Sequence, residues 1–282
     1  MELSESQIEP IVALALEEDL GHGDVTTEAL ISPEVKAQGY LTARSEGVLA
    51  GIEMAEAVFR HVGPSPSFER HILDGTRVHE GDVIATVTGS AGSILKAERT
   101  ALNFLQHLSG IATETAKYVE AVSGTKARIL HTRKTTPGLR PLERYAVIAG
   151  GGHMHRHNLG SAVLIKDNHL MASQAEKIGL KEVIQQARRN APINLKIEVE
   201  VETIEQAQEA LNGGADIILL DNMGLDDMRR VVELAQGQAL TEASGGITLD
   251  NVRAVAETGV DFISVGALTH SVTAMDISLD LR

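Results

Sequence analysis

The residues best suited to chemistry in this sequence are cations gathered in one stretch of an acidic chain. The chain of 282 residues has a net charge of −14, yet seven Lys/Arg and only two acids lie between Arg128 and His169. Arg binds carboxylates and phosphates through a planar fork of donors, and Lys binds them as a mobile point charge. The stretch predicts a site for a small, highly anionic ligand; the alternative is a solvated basic surface.

Polar residues also stand at the ends of six short apolar runs, which we predict to be strands of a parallel sheet. The runs span 127–131, 162–166, 195–201, 216–221, 239–243 and 261–265. Active sites of parallel α/β proteins form at the carboxyl ends of the strands. We therefore expect one site built from the residues at these ends, namely His131, Arg133, Lys134, Lys166, Glu200, Asp221, Ser244, Gly245, Gly266 and, shortly after the last run, His270.

Two of these residues are acids in cationic surroundings. Glu200 and Asp221 are suited to binding ribose hydroxyls, or Mg²⁺ held together with phosphates. Glu198, Glu200 and Glu202 alternate along one predicted strand, so at least one of the three is expected to be only structural.

Two further patterns bear on the kind of ligand. Residues 244–248 (SGGIT) resemble a phosphate cradle, because glycines let backbone N–H groups approach and we expect Thr248 to begin a helix. His153, His155 and His157 alternate and could indicate a transition-metal site. Three glycines precede them, however, and a histidine beside Arg156 fits an anion contact better.

The elements that must position these residues fall into two groups along the chain. The first part predicts an α+β domain with helices over 8–20 and 52–61, strands over 37–44, 47–50, 68–72 and 82–88, and a helical run over 94–122 broken at Gly110. From residue 127, the six strands alternate with helices over 181–190, 203–212, 225–236 and 249–258. This alternation predicts βαβ units, either open or closed as a (β/α) barrel of fewer than eight strands, and we favour the barrel.

Composition excludes several classes of protein. The absence of cysteine excludes disulfides, thiolate catalysis, zinc ribbons and iron–sulfur clusters. No apolar run is long enough to cross a membrane, and the acidic balance argues against nucleic-acid binding. The polar, acidic N-terminus is unlike a targeting peptide, so we expect a cytoplasmic protein.

Motifs over essentially the whole chain resemble those of the quinolinate phosphoribosyltransferases, also called nicotinate-nucleotide pyrophosphorylases (carboxylating). The most specific is HTRKTTPGLR at 131–140. The others, in order, are EEDLGHGDVTT (17–27), ERTALNFLQHLSGIAT (98–113), GGGHMHRHNL (150–159), LIKDNH (164–169), EVEVE (198–202), LLDN (219–222), EASGGI (242–247) and SVGALTHS (264–271).

The resemblance implies a fold, a reaction and an assembly. It implies an N-terminal α/β sandwich domain over 1–112 and an incomplete α/β barrel over 113–271, with residues 272–282 returning to the first domain. It implies phosphoribosyl transfer from phosphoribosyl pyrophosphate (PRPP) to quinolinate with decarboxylation, which gives nicotinate mononucleotide, CO₂ and pyrophosphate. It further implies Mg²⁺ as cofactor and a homodimer, open to higher assembly, whose subunits share their sites.

The resemblance also implies roles for individual residues. Quinolinate would be held by Arg133, His155, Arg156 and Lys166, with Arg99 reaching it from the neighbouring subunit. Lys134 and Lys166 would contact the phosphoribosyl donor. Glu200 and Asp221 would bind ribose hydroxyls and, directly or indirectly, the metal, whereas the 5′-phosphate would lie among Ser244, Gly245, Gly266 and His270. The catalytic residues would be Lys134, Glu200 and Asp221.

The sequence leaves two rival functions open. One is a related phosphoribosyltransferase that uses another aromatic acid, such as nicotinate without decarboxylation, or the relative found with molybdate transport. The other is a non-catalytic sugar-phosphate-binding protein on the same fold. The paired Arg, Lys and His residues, sufficient for two carboxylates, favour quinolinate.

Overall fold

The structure, a computed structural model, describes residues 3–63, 65–174 and 178–282. The chain forms two compact units. The first comprises Met1–Ala116, Lys134–Gly152 and Ala267–Arg282, and the second comprises Lys117–Arg133 and His153–Gly266. The predicted boundaries at residues 112 and 271 stay predictions.

The first unit is built on a four-stranded antiparallel sheet, in the order β12-β1-β5-β3. Its strands are β1 (Lys36–Ala43), β3 (Ser67–Arg70), β5 (Val83–Ser90) and β12 (Ile277–Leu281), and β2 (Gly47–Val48) pairs separately with β4 (Arg77–Val78). The helices that lie wholly in this unit are α1 (Glu5–Leu20), α2 (Val25–Leu30), α3 (Ile52–His61), α5 (Arg140–Ala149) and α11 (Ala267–His270).

Strand β12 brings the end of the chain onto the edge of this sheet. Its residues pair with β1 from Gly39↔Leu281 to Ala43↔Ile277. Pairing of the edge strand satisfies backbone groups that would otherwise be exposed. In the same unit, Asp74 accepts hydrogen bonds from the N–H groups of Gly51 and Ile52 at the start of α3, which is an N-terminal cap supplied from a distant part of the chain.

The long helix α4 (Ala91–Ala121) corrects one prediction, because Gly110 does not break it. Gly110 is buried, and a Cβ placed on it would lie 2.3 Å from the carbonyl oxygen of Thr273. The glycine is therefore required by the close approach of the returning backbone. Helix propensity alone could not distinguish this use from a helix break.

The second unit is a six-stranded, entirely parallel sheet with helices between the strands. The strands are β6 (Arg128–Leu130), β7 (Val163–Ile165), β8 (Ile197–Val201), β9 (Ile217–Asp221), β10 (Leu240–Ser244) and β11 (Phe262–Ser264). Their order is β6-β11-β10-β9-β8-β7, so the first strand pairs with the last, and no pairing of β6 with β7 occurs among the described residues. This arrangement confirms an incomplete (β/α) barrel.

The helices of this unit are α6 (Asp167–Gln174), α7 (Leu180–Asn190), α8 (Ile204–Gly213), α9 (Leu225–Ala235) and α10 (Val252–Ala256). Thr203, the first residue of the predicted helix over 203–212, is the N-cap of α8, since its side chain accepts from the N–H of Gln206. Helix α10 begins later than predicted: its N-cap is Asn251, and Thr248 lies one turn earlier. None of the described helices is long and apolar enough to cross a membrane.

Replacement of Gly110 by alanine tests the close approach of Thr273. We expect Gly110→Ala to lower the free energy of unfolding by about 1–3 kcal/mol, because the added methyl group would overlap backbone rather than a movable side chain. Gly92→Ala in the same helix is the control, since the nearest atom to its new Cβ is the Thr27 methyl carbon at 3.3 Å. Urea unfolding that shows equal losses for both variants would contradict the close approach.

Candidate functional site

The register of the parallel strands places the predicted acids on one face of the sheet. Glu200 of β8 lies opposite Leu219 of β9, and Asp221 follows Leu219 by two residues. Because side chains alternate along a strand and paired residues share a face, the two carboxylates project from the same side. We call this side the polar face, which carries Glu198, Glu200, Asp221, Glu242 and Ser244.

The opposite side of the same strands is a hydrophobic core. Val199, Val201, Ile218, Leu220 and Ala243 alternate with the polar residues and are each at most 1% exposed. A shift of one residue in register would exchange the two sets of side chains and bury the charges among these aliphatic groups. Burial of the aliphatic side therefore fixes where the polar face lies.

An ion pair joins two of the predicted site residues. The Lys166 ammonium, immediately after β7, donates to Oε2 of Glu200 at 2.5 Å. The Lys166 side chain is 42% exposed and that of Glu200 13% exposed, so the pair is accessible to a ligand from the lysine side. Asp221 is half-buried, and its Oδ2 accepts from the side-chain amide of Asn222 at 3.0 Å.

The loop after β10 has the backbone that a close ligand contact needs. Gly245 and Gly246 both have positive φ, at 86° and 61°. A Cβ on Gly245 would lie 2.3 Å from Oδ1 of Asn222, which itself has a φ of 53°. Glycine is therefore required here both by conformation and by space. The helix does not start at Thr248 as predicted: α10 begins at Val252 after the N-cap Asn251, whose Oδ1 accepts the N–H of Thr248.

Arg133, His155 and Arg156 form a cationic cluster in the second unit. All three are half-buried, and the Nε atoms of Arg133 and Arg156 are buried without a hydrogen-bond partner among the described residues. Burial lowers the pKa of Arg156, and repulsion from Arg133 lowers it further, with Glu198 opposing both effects. Positive groups held so close together favour a ligand of more than one negative charge.

Two buried acids, Glu198 and Glu242, flank the imidazole of His155. Its Nε2 lies 3.3 Å from Oε2 of Glu198 and 3.4 Å from Oε1 of Glu242. Burial alone would lower the pKa of His155, but hydrogen bonds and charge from the two glutamates outweigh it and raise the pKa to about 10. Burial also raises the pKa of Glu198, and Glu242 adds repulsion that His155 and Arg156 only partly offset.

The segment after Arg133 is held by its backbone within the first unit. Lys134 is exposed, and its carbonyl accepts from the hydroxyl of Thr269 at 2.7 Å. The N–H of Thr136 donates to Oε2 of the fully buried Glu143, whose Oε1 pairs with His107 Nε2 at 3.0 Å. These contacts order the segment while the Lys134 side chain stays exposed.

The remaining predicted residues lie at four positions. Arg99 is exposed on α4, and His270 is exposed at the end of α11 with its Nδ1 2.6 Å from Ser271 Oγ. Gly266 follows β11, and His131 is fully buried after β6, with its Nε2 accepting the backbone N–H of His155 at 3.3 Å. Arg99, Lys134 and His270 belong to the first unit and the other predicted site residues to the second.

Sequence reasoning missed Glu242 and Glu143, and it did not identify Glu198 as a contact of His155. A signal existed for Glu198, because it stands two residues before Glu200 and so must share its face, whereas Glu202 is exposed beyond the end of β8. A signal also existed for Glu242, two residues before Ser244. The contacts of Glu143 had none, since they depend on α5, which was not predicted.

Comparisons with known proteins match both parts of the chain to one family. Residues 24–109 match the family profile described as quinolinate phosphoribosyl transferase, N-terminal domain, and residues 111–280 match that of the C-terminal domain. A probable nicotinate-nucleotide pyrophosphorylase (carboxylating) of Bacillus subtilis (strain 168) is 43% identical over 94% of this chain and 90% of that protein. A protein with the same description from Synechocystis sp. (strain ATCC 27184 / PCC 6803 / Kazusa) is 42% identical over 97% and 92%.

Solved structures agree with these sequence matches. The crystal structure of NadC from Streptococcus pyogenes is 40% identical, with a TM-score of 0.95 over 100% of this chain and 99% of that one. The nicotinate-nucleotide pyrophosphorylase from Francisella tularensis is 36% identical, with a TM-score of 0.93 over 100% and 98%. Since the two profiles together cover most of the chain and the relatives match along nearly their whole lengths, this chain belongs to the quinolinate phosphoribosyltransferase family.

Proposed function

We propose that this chain transfers the phosphoribosyl group of PRPP to quinolinate and removes the 2-carboxylate, giving nicotinate mononucleotide, CO₂ and pyrophosphate. The observation that carries the proposal is the polar face with its Lys166–Glu200 ion pair. Both the N-terminal and the C-terminal parts of the chain also match this family. A pentosyl transfer of this kind is a step of NAD synthesis.

Recognition of a dicarboxylate is assigned to the cationic cluster. Arg133, His155 and Arg156, with Lys166, are proposed to hold the two carboxylates of quinolinate. The buried, unpartnered Nε atoms of the two arginines support this role, since a carboxylate would supply the missing acceptors. An aromatic monoacid, or a sugar phosphate alone, would supply fewer acceptors to these two arginines than a dicarboxylate does.

The phosphoribosyl donor is assigned to residues of both charge types. Lys134 and Lys166 are proposed to contact PRPP, and Glu200 and Asp221 to bind its ribose hydroxyls. Ser244, Gly245, Gly266 and His270 are proposed to surround the 5′-phosphate. The positive φ of Gly245 supports this role, because that backbone conformation, without a Cβ, lets N–H groups approach a phosphate closely.

Magnesium fits the acids of the polar face. Mg²⁺ prefers carboxylate oxygens together with substrate phosphates, and Glu200 and Asp221 supply carboxylates on adjacent strands of one face. These two residues would hold the ion, directly or through water. When bound, it would offset the charge that grows on the departing pyrophosphate.

The chain's own residues then account for both steps of the reaction. The lone pair of the quinolinate nitrogen forms a bond to the anomeric carbon as the bond between that carbon and pyrophosphate breaks. The electron pair of the broken bond leaves with pyrophosphate. Lys134 stabilises that leaving group, and the carboxylates of Glu200 and Asp221 favour the positive charge that develops on the ribose.

In the second step the alkylated ring nitrogen is cationic. It stabilises the electron pair that remains on the ring carbon when CO₂ departs, and a proton then replaces CO₂ there. Tight ion pairing or hydration of the 2-carboxylate would stabilise it and oppose its loss. Exclusion of water is therefore expected to assist this step. Neither step needs a nucleophilic side chain, which agrees with a chain that has no cysteine.

The assembly and location belong to the same proposal. We propose a homodimer, open to further assembly, in which Arg99 of one subunit contributes to the quinolinate site of the other. A cytoplasmic location remains the expectation for a chain that has no cysteine and forms no disulfide.

The direct test supplies the purified protein with Mg²⁺, PRPP and quinolinate labelled in the 2-carboxylate. Release of labelled CO₂ together with nicotinate mononucleotide is expected. Nicotinate in place of quinolinate is expected to give no product. Product from nicotinate would instead support a phosphoribosyltransferase for a monoacid, and binding of PRPP with no turnover of either acid would support a sugar-phosphate-binding protein.

Loss of either of the two adjacent cations in the most specific motif, Arg133 or Lys134, should nearly abolish turnover. Arg133→Ala and Lys134→Ala are each expected to lower kcat/KM by at least ~100-fold, because each removes charge stabilisation near the reacting groups. Thermal unfolding should be little changed. Arg229→Ala on the exposed surface of α9 is the control, and full activity in both test variants would mean that the site lies elsewhere.

Mixing variants tests the shared site. Arg99→Ala and Lys134→Ala, each inactive alone, should together recover roughly a quarter of the wild-type activity, since half of the dimers are mixed and each has one site free of both substitutions. Subunit exchange is verified with two affinity tags. Exchange without recovery would count against a contribution from the neighbouring subunit.

The role of Asp221 in metal binding has its own measurement. Asp221→Asn is expected to raise the Mg²⁺ concentration for half-maximal rate by about tenfold, because it removes a charged oxygen ligand. Asp226→Asn, on the exposed first turn of α9, is the matched control. An unchanged Mg²⁺ dependence in Asp221→Asn would assign the metal to other groups.

A further inference from the structure

Two carboxylates lie deeper in the sheet than the proposed substrate contacts and have no part in them. Glu198 on β8 is 3% exposed and Glu242 on β10 is 1% exposed, and both project from the polar face. Strand β9 separates them, with Leu219 opposite Glu242 and Ile217 opposite Glu198. Their side chains nevertheless converge on a single group, the Nε2 atom of His155.

This arrangement is poor at stabilising the fold. Two buried acids share one cation, and Oε1 of each glutamate has no well-formed hydrogen bond among the described residues. Buried charges cost free energy, and hydrophobic replacements of buried ion pairs are often neutral or stabilising. A reason other than stability is therefore needed for both acids.

The protonation state of His155 supplies that reason. Because Nε2 faces the two glutamates, only Nδ1 of the ring is left for a ligand. A neutral imidazole with its proton on Nε2 would present a lone pair at Nδ1 and repel a carboxylate. The doubly protonated ring presents an N–H at Nδ1 and can bind one.

The charged neighbours of His155 act in opposite directions: the two glutamates favour the doubly protonated ring and the positive charge of Arg156 opposes it, and the net effect favours protonation. Glu198 faces it from β8 and Glu242 from β10, and His131, at the end of β6, accepts its backbone N–H. Arg156 is its neighbour in the chain, and Glu198 also offsets the repulsion between Arg156 and Arg133. The acids thus lie behind a layer of cations that would otherwise repel one another.

We propose that Glu198 and Glu242 are positioning residues for quinolinate, which hold His155 doubly protonated so that its Nδ1–H binds a substrate carboxylate beside Arg133 and Arg156. The proposal rests on the proposed function for the identity of the ligand. Neither glutamate needs to touch substrate.

The same three side chains have the spacing of a metal site, since their ligand atoms lie within 4.8 Å of one another. A divalent cation there would displace the Nε2 proton and add charge beside two arginines. The proton is therefore favoured over a metal ion, and the experiment decides between the two.

The test uses Glu198→Gln and Glu242→Gln, which preserve shape and remove charge. In each variant the remaining glutamate still pairs with the imidazolium, so folding should survive. Glu202→Gln is the matched control, because this third acid of the same run is exposed beyond the end of β8. The first readout is the NMR titration of the His155 ring in the ligand-free protein, assigned with His155→Gln.

In the wild type and in Glu202→Gln, the His155 ring is expected to stay protonated as the pH rises toward about 10. In each test variant the His155 ring should lose its proton at lower pH, because one of the two glutamates that stabilise the imidazolium has been replaced. Consequently, the KM for quinolinate in the test variants should exceed the wild-type value by about tenfold near pH 9 and much less near pH 6, where the ring is still charged. The kcat and the KM for PRPP should change little.

Three results would overturn the proposal. One is a wild-type His155 that titrates near the ordinary histidine pKa. Another is an unchanged KM for quinolinate in both variants across this pH range. The third is stoichiometric binding of Zn²⁺ alone, measured by calorimetry, that is lost in Glu242→Gln and required for turnover. If the wild type does not use quinolinate, the proposed function fails, whereas the His155 titration still decides the protonation state.

Discussion

The parallel register of β8, β9 and β10 is the constraint on which the site depends. It aligns Glu200 with Leu219 and Asp221 with Ser244, so that charged groups from three strands share one face. The aliphatic side chains between them are buried on the other face, and their burial holds the register. The charges need no contact with one another to be placed correctly, because the sheet positions them.

Electrostatics then determine what such a face can bind. Arginines and a histidine cluster at the site while acids lie on and beneath the polar face, so the region combines strong local charges of both signs. Such a mixed pattern suits an anionic ring and a sugar pyrophosphate better than a uniformly basic groove would. Each group of the ligands then meets charge of the appropriate sign. The overall acidity of the chain gives no hint of this, because it averages over the surface.

Glycines determine where the backbone can come close. Gly245 combines a positive φ with contact to the Asn222 side chain, and Gly110 admits the backbone of Thr273 against a continuous helix. In the sequence Gly110 resembles a helix break, whereas Gly245 belongs to the predicted phosphate cradle. In one case glycine forms a loop suited to phosphate, and in the other it lets a returning segment pack within the first unit.

Local pattern alone was sufficient for the six parallel strands and four of the helices after residue 127, for the alternating faces of the strand around Glu200, and for the concentration of cations near Arg133. These features depend on residues close together in the sequence, so the spacing of apolar and charged residues is enough to predict them. The partners of His155 and of Glu143, the continuity of α4 through Gly110 and the late start of α10 were decided by the tertiary structure. Each of these depends on groups remote in the chain, whose approach is fixed by packing and strand order rather than by any local preference.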